Sequence, residues 1–219
     1  MTTSLAECVA RVLAGPDPAL VVQAGNPVLR MHAAPYTGQL GDGVLADLVG
    51  LMRRTMRAAP GVGLAAPQIG IPLALAVIED PGALDPDVAA LRERDPFAFR
   101  VLVNPRYEPV DPERVSYYEG CLSISGFQAV VARYRTVRLT GQDETGRVLD
   151  ETLRGWPARI VQHETDHLGG VLYLDRAERR SLASDEGLGG LLGAEPSPTT
   201  AARVLGFDLA RPQADGAAP

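Results

Sequence analysis

His163-Glu164-Thr165-Asp166-His167 sets two imidazoles four residues apart with a carboxylate beside the first. On an α-helix that spacing puts both rings on one face, which is the arrangement of a metal site carrying its own general base. The chain has three histidines and two of them fall here. A pentad of this kind also describes an ordinary buried or surface histidine pair, so its meaning depends on what else the chain supplies. The helix is written locally: Pro157 suits a first turn and Gly169-Gly170 a C-terminal stop. Ile160, His163, Glu164 and His167 share one side, which predicts a helix buried in mid-domain with its ligands facing strand-borne residues. The lone Trp156 just ahead of it reads as packing.

Outward from this helix the pattern is mixed. Residues 1–24 are alanine-rich with Pro16 and Pro18, and read as a short helix or loose arm. Asp42 is placed to cap a helix in which Leu45, Leu48, Val49, Met52 and Met56 form a buried stripe ending at Pro60-Gly61. Residues 73–78 and 100–103 read as buried strands, separated by a surface loop over 80–96. Residues 127–131, 136–140 and 148–153 read as short strands, the last two joined through 141–146. After Arg180 the composition turns to Gly, Ala, Pro and Ser, and 213–219 reads as disordered. The chain thus divides into an arm over 1–24, a catalytic domain over 25–178 and a tail over 179–219.

Composition narrows the function classes. With 219 residues, 46% of them hydrophobic, there is room for one substantial core. The formal charge of -6 and the absence of a lysine or arginine run argue against autonomous nucleic-acid binding. No basic leader or membrane-length apolar segment is present, which predicts a cytoplasmic protein without a membrane partner. Cys8 and Cys121 are the only cysteines, so a disulfide framework is excluded, and Cys8 reads as a spare thiol.

Two imidazoles need a third ligand, with one coordination position left open. An extended zincin pattern would place another histidine three residues beyond Gly170, but that residue is Tyr173. Glu178 is available, though in a charged stretch that suits solvent. Cys121, in Glu119-Gly120-Cys121-Leu122-Ser123, offers a thiolate beside a glycine that permits close backbone approach. With Glu178 as ligand the chain would be a zinc endopeptidase, and with a closed shell a metal-stabilised binding protein. Cys121 is favoured beside the pentad. Gly61-Val62-Gly63-Leu64-Ala65-Ala66-Pro67-Gln68 superficially fits a dinucleotide fingerprint, but a helix precedes it and Pro67 follows closely, so the nucleotide reading fails. Its small residues admit a peptide backbone, and Gln68 adds an amide donor.

Taken together, GxGLAAxQ over 61–68, EGCLS over 119–123 and QHExDH over 162–167 closely resemble the signature of the peptide deformylases, in the same order. The resemblance extends roughly over 25–176. It implies an α+β fold, with antiparallel sheets packed around a central C-terminal helix that carries HExxH. It further implies Cys121, His163 and His167 as metal ligands, Glu164 as catalytic carboxylate, and Gln68 with the backbone N–H of Leu122 as oxyanion donors. The expected reaction is hydrolysis of the formyl group from N-formylmethionyl nascent peptides, releasing formate. Fe(2+) is the ion the resemblance implies, and Zn(2+), Ni(2+) or Co(2+) suit the same ligands. Val62 and Ile160 are expected to wall the methionine pocket, and Val62, Gly63 and Gly120 to pair with an extended peptide. Two departures stand out. Ser125 replaces a proline common in relatives, and the tail lacks the basic helix that some relatives are thought to dock on the ribosome, so transient ribosome contact would need another surface.

Overall fold

The computed structural model of the chain describes residues 4–59, 61–82, 85–188 and 196–210. In chain order the helices are α1 (Leu5–Leu13), α2 (Asp42–Ala58), α3 (Pro86–Arg92), α4 (Gly155–Leu168), α5 (Asp185–Gly187) and α6 (Thr199–Leu205). The strands are β1 (Gly63–Ala65), β2 (Leu75–Asp80), β3 (Phe97–Pro109), β4 (Arg114–Cys121), β5 (Ile124–Tyr134), β6 (Thr136–Gln142), β7 (Val148–Arg154) and β8 (Ala183–Ser184). They form two antiparallel sheets, a five-stranded one in the order β1-β2-β3-β6-β7 and a three-stranded one in the order β4-β5-β8. The fold is α+β, and α4 lies between the sheets.

Each helix follows from its local sequence. Ser4 caps α1 in a reciprocal box with Glu7, and the fully buried Val9 joins α1 to the core beneath α2. On α2, Leu45, Leu48, Met52 and Met56 are each at most 5% exposed and pack on Leu64, Leu75 and Val77. Gly41, rather than Asp42, is the N-cap of α2 and makes no side-chain cap bond. The helix ends at Ala58, and Pro60 lies outside the described residues. Helix α4 starts two residues before Pro157, and from it Ile160, Val161 and Leu168 pack on Ala65, Ala76, Ile78, Leu102 and Leu139. Fully burying one such side chain contributes roughly 2 kcal/mol.

The expected strands fall inside longer ones or are shifted by a few residues. Strand β4 escaped the sequence reading for a physical reason: Val115, Ser116 and Tyr117 are buried in succession, so there is no alternation to detect. Ser116 is covered by the chain's own C-terminal segment, exchanging hydrogen bonds with Ala210. The expected loop over 80–96 contains α3, begun by Asp85 accepting from the N–H groups of Asp87 and Val88 and closed by Glu93 at φ 47°. None of its residues is buried, so no apolar period marks it. The expectation of disorder over 213–219 lies outside the described residues.

Candidate active site

Helix α4 and the end of β4 bring the three expected ligands together. The ligand atoms of Cys121, His163 and His167 all lie within 4.8 Å of one another, and Cys121 Sγ is 3.3 Å from His167 Nε2. A tetrahedral ion with bonds of about 2.0–2.3 Å holds its ligand atoms about 3.5 Å apart, so this donor set fits a divalent metal. Cys121 is the last residue of β4, where the register with β5 shifts after Gly120 and the chain turns through Leu122 and Ser123. Glu178 is not part of the cluster; its carboxylate caps a short turn by accepting from the Arg180 N–H. Tyr173, standing where an extended zincin would have a histidine, stacks on His163 and donates its hydroxyl to Phe127 O.

A buried ionic group orients the first histidine. Glu119 accepts from His163 Nδ1 at 3.0 Å, which leaves Nε2 free to serve as a ligand atom. Burial works to raise the Glu119 carboxyl, but Arg133, His163 and Arg159 outweigh it and hold it well below the usual range. Arg133 grips both Glu119 oxygens at 2.9 Å and also contacts Asp166. Asp166 in turn accepts from Tyr107 and from Arg176. His167 has no such support: its Nδ1 is buried without a partner among the described residues. Burial, with the positive neighbours His163 and Arg133, pushes its ring well below the ordinary imidazole value. The sequence shows Glu119 and Asp166 only as motif residues and does not reveal Arg133 or Arg159, whose pairing with them crosses three elements and leaves no local spacing.

Glu164 is 4% exposed, its Oε2 has no partner among the described residues, and burial pushes its carboxyl up to about 7. Gly63 explains how it fits, because a Cβ at that position would overlap the Glu164 carboxylate. Gln68 is locked by the Ala65 N–H on its Oε1 at 2.8 Å, so its Nε2 is directed at Cys121 Sγ, 3.5 Å away, and at Ser123 Oγ. These groups border a cleft of about 800 Å³, lined also by Val62, Gly120, Leu122 and Ile160. Trp156, expected only to pack, lines it as well, together with Arg92 at the end of α3 and Arg94 just beyond it.

The polypeptide deformylase family profile matches residues 18–183. The chain belongs to the peptide deformylase family. It is 58% identical to "Peptide deformylase 3" of Streptomyces avermitilis over 94% of this chain and 91% of that one. It is 55% identical to "Peptide deformylase 1" of Streptomyces coelicolor over 96% of each. Among solved structures, the peptide deformylase of Thermotoga maritima is 34% identical with a TM-score of 0.62, covering 73% of this chain and 97% of that one. The peptide deformylase of Synechococcus elongatus in complex with actinonin is 36% identical with a TM-score of 0.63, covering 80% and 88%. The chain is therefore a hydrolase of a metalloenzyme family that removes the N-formyl group from nascent peptides. No helix among the described residues is long and apolar enough to cross a membrane.

Proposed function

We propose that Cys121, His163 and His167 hold one divalent ion and that Glu164, Gln68 and the backbone N–H of Leu122 perform the deformylation beside it. The observation that carries this reading is the convergence of one sulfur and two imidazoles next to a buried, half-unpartnered carboxylate. An ion held there supplies the Lewis acidity that lets water ionise near neutral pH. Glu164 takes the proton of the attacking water and returns it to the departing amine. The Gln68 amide, which its Ala65 contact prevents from flipping, donates where the formyl oxygen gains charge, in company with the Leu122 N–H. Removing one such donor costs about 3 kcal/mol in the barrier.

Among the described residues strand β1 is a sheet edge paired on one side only, by β2, which supports an extended peptide lying against Val62 and Gly63 with Gly120 opposite. Val62 and Ile160 then flank the first side chain, and methionine fits because it is long, apolar and unbranched. All these residues lie within 25–178, the segment we assign as the catalytic domain, working on nascent chains in the cytoplasm. Any contact with the ribosome uses a surface other than α6, which carries Arg203 as its single basic residue. Iron(II) is our choice of ion on the family resemblance, although the ligand set itself also suits zinc, nickel or cobalt.

The test is anaerobic purification, metal analysis and formate release from formyl-Met peptides beside their acetyl counterparts. The expected result is one iron per chain, turnover of the formyl peptide alone, and loss of activity in aerated buffer. Cys121→Ser retaining both metal and activity would overturn the ligand assignment.

A further inference from the structure

We propose that the C-terminal segment 196–210 is the outer support of the pocket for the first substrate side chain, and that it acts through Arg92 as a positioning residue. The inference rests on the reading of the cleft as the peptide site. Trp156 precedes His163 by seven residues, two helical turns or about 10 Å along one face of α4. Ile160 lies between them and lines the same cleft. A long first side chain directed along α4 from the ligand cluster therefore ends at the indole ring.

A guanidinium holds that ring. The Arg92 guanidinium sits 5.0 Å from the Trp156 centroid and 5.6 Å from that of Tyr117, and the two rings meet edge-on at 6.0 Å. Arg94 and Arg159 also lie over the indole, but each is tied to a carboxylate, Asp80 and Glu119 respectively. Arg92 meets no carboxylate among the described residues. Its Nε and Nη2 both donate to Pro196 O, at 3.1 and 3.0 Å. A half-buried guanidinium whose only acceptor among the described residues comes from the tail is held on the ring by the docked tail.

The docking is built into the fold. Arg180 Nη1 donates to Leu205 O and Gly206 O, at 3.3 and 2.7 Å, closing the end of α6. Ala201 is 1% exposed. Ser116, one residue from Tyr117 on β4, exchanges hydrogen bonds with Ala210 at 3.0 and 3.1 Å. The segment thus holds two elements beside the pocket, β4 through Ser116 and α3 through Arg92.

Trp156 is the chain's single tryptophan, so its emission reports this contact directly. The experiment compares full-length, metal-loaded wild type, Arg92→Gln, Ala201→Asp and the double variant. Two quantities are read: Trp156 emission, and the ratio of kcat/KM for formyl-Met-Ala-Ser to that for formyl-Ala-Ala-Ser. Arg92→Gln is expected to shift the emission and to lower the ratio roughly tenfold through KM. Ala201→Asp, which undocks α6 far from the ligands, is expected to do the same, and the double variant no more than either. Should Ala201→Asp fail to fold, Arg180→Gln, which releases only the clamp on Leu205 and Gly206, is read in its place. Wild-type emission and ratio in the undocked variant, or additive losses in the double, would overturn the proposal. Wild type turning over neither peptide would overturn the parent reading instead, with the emission still deciding whether the tail holds Arg92.

Discussion

The interior of the protein is of two kinds, apolar on one side and ionic on the other. Toward α2, β1 and β2 it is apolar, built from Leu48, Met52, Met56, Leu64 and Leu75, and Thr55 is its buried polar neighbour, donating within its own helix to Leu51 O. Toward β4 and β5 it is ionic, with Glu119, Arg133, Arg159 and Asp166 each at most 6% exposed and linked to one another. Apolar packing is non-directional and stabilises in proportion to the area removed from water. Buried ion pairs stabilise little after desolvation, but they fix orientation. The apolar half accordingly supplies stability, and the ionic half fixes the ring of His163, a proposed metal ligand.

The largest effect is expected between the two halves, at Glu164. Glu164→Gln keeps the volume and removes the group proposed to move the proton, so kcat should fall by about 10²–10⁴. Metal content and thermal midpoint should stay near wild type, as metal analysis and calorimetry would show. A loss of metal in this variant would make Glu164 part of the ligand set rather than the base.

Next comes the ionic half. Glu119→Gln strips the charge that Arg133 and Arg159 share and weakens the acceptor of His163 Nδ1. Stability is expected to drop by about 3 kcal/mol and metal affinity by about 10- to 100-fold. Leu48→Ala in the apolar half should lose a similar 2–5 kcal/mol in stability. In that variant the metal affinity and the KM of the folded fraction should not change. Equal metal loss in both variants, measured by competition with a chelator, would erase the distinction between the halves.

What could be read from sequence follows the same division. The α2 stripe and the α4 ligands repeat at helical spacing, so Leu48 and His167 were legible without coordinates. Cys121 was reachable because glycine and cysteine chemistry marks its segment. The ionic half was not legible: Arg133 reaches Asp166 and Glu119 across long stretches of sequence, and nothing in one strand's pattern shows where its partner lies. The role of Trp156 was hidden for a related reason, since its neighbours Arg92 and Tyr117 come from α3 and β4. Helix α3 was missed because it buries nothing.

The smallest expected effect lies at the edge of the ionic half and tests whether its charges still matter where water reaches them. Glu93, closing α3, accepts from Arg135 at 2.8 and 2.9 Å and from Arg154 at 2.8 Å. The Arg135 bonds, aided by Arg154 and opposed by burial, lower its carboxyl from the ordinary 4.5. A carboxyl lowered in the folded state adds stability that is fully present above 4.5 and disappears as pH falls through the folded value. Glu93→Gln should therefore lower the thermal midpoint at pH 7 by a few degrees at most, and the gap to wild type should close at the acid end of the profile. The Glu93 backbone carbonyl also accepts from Trp156 N–H at 3.1 Å, and the substitution leaves that bond in place. A gap that persisted unchanged to the acid end of the profile would mean that Glu93 acts through the fit of its side chain and not through charge.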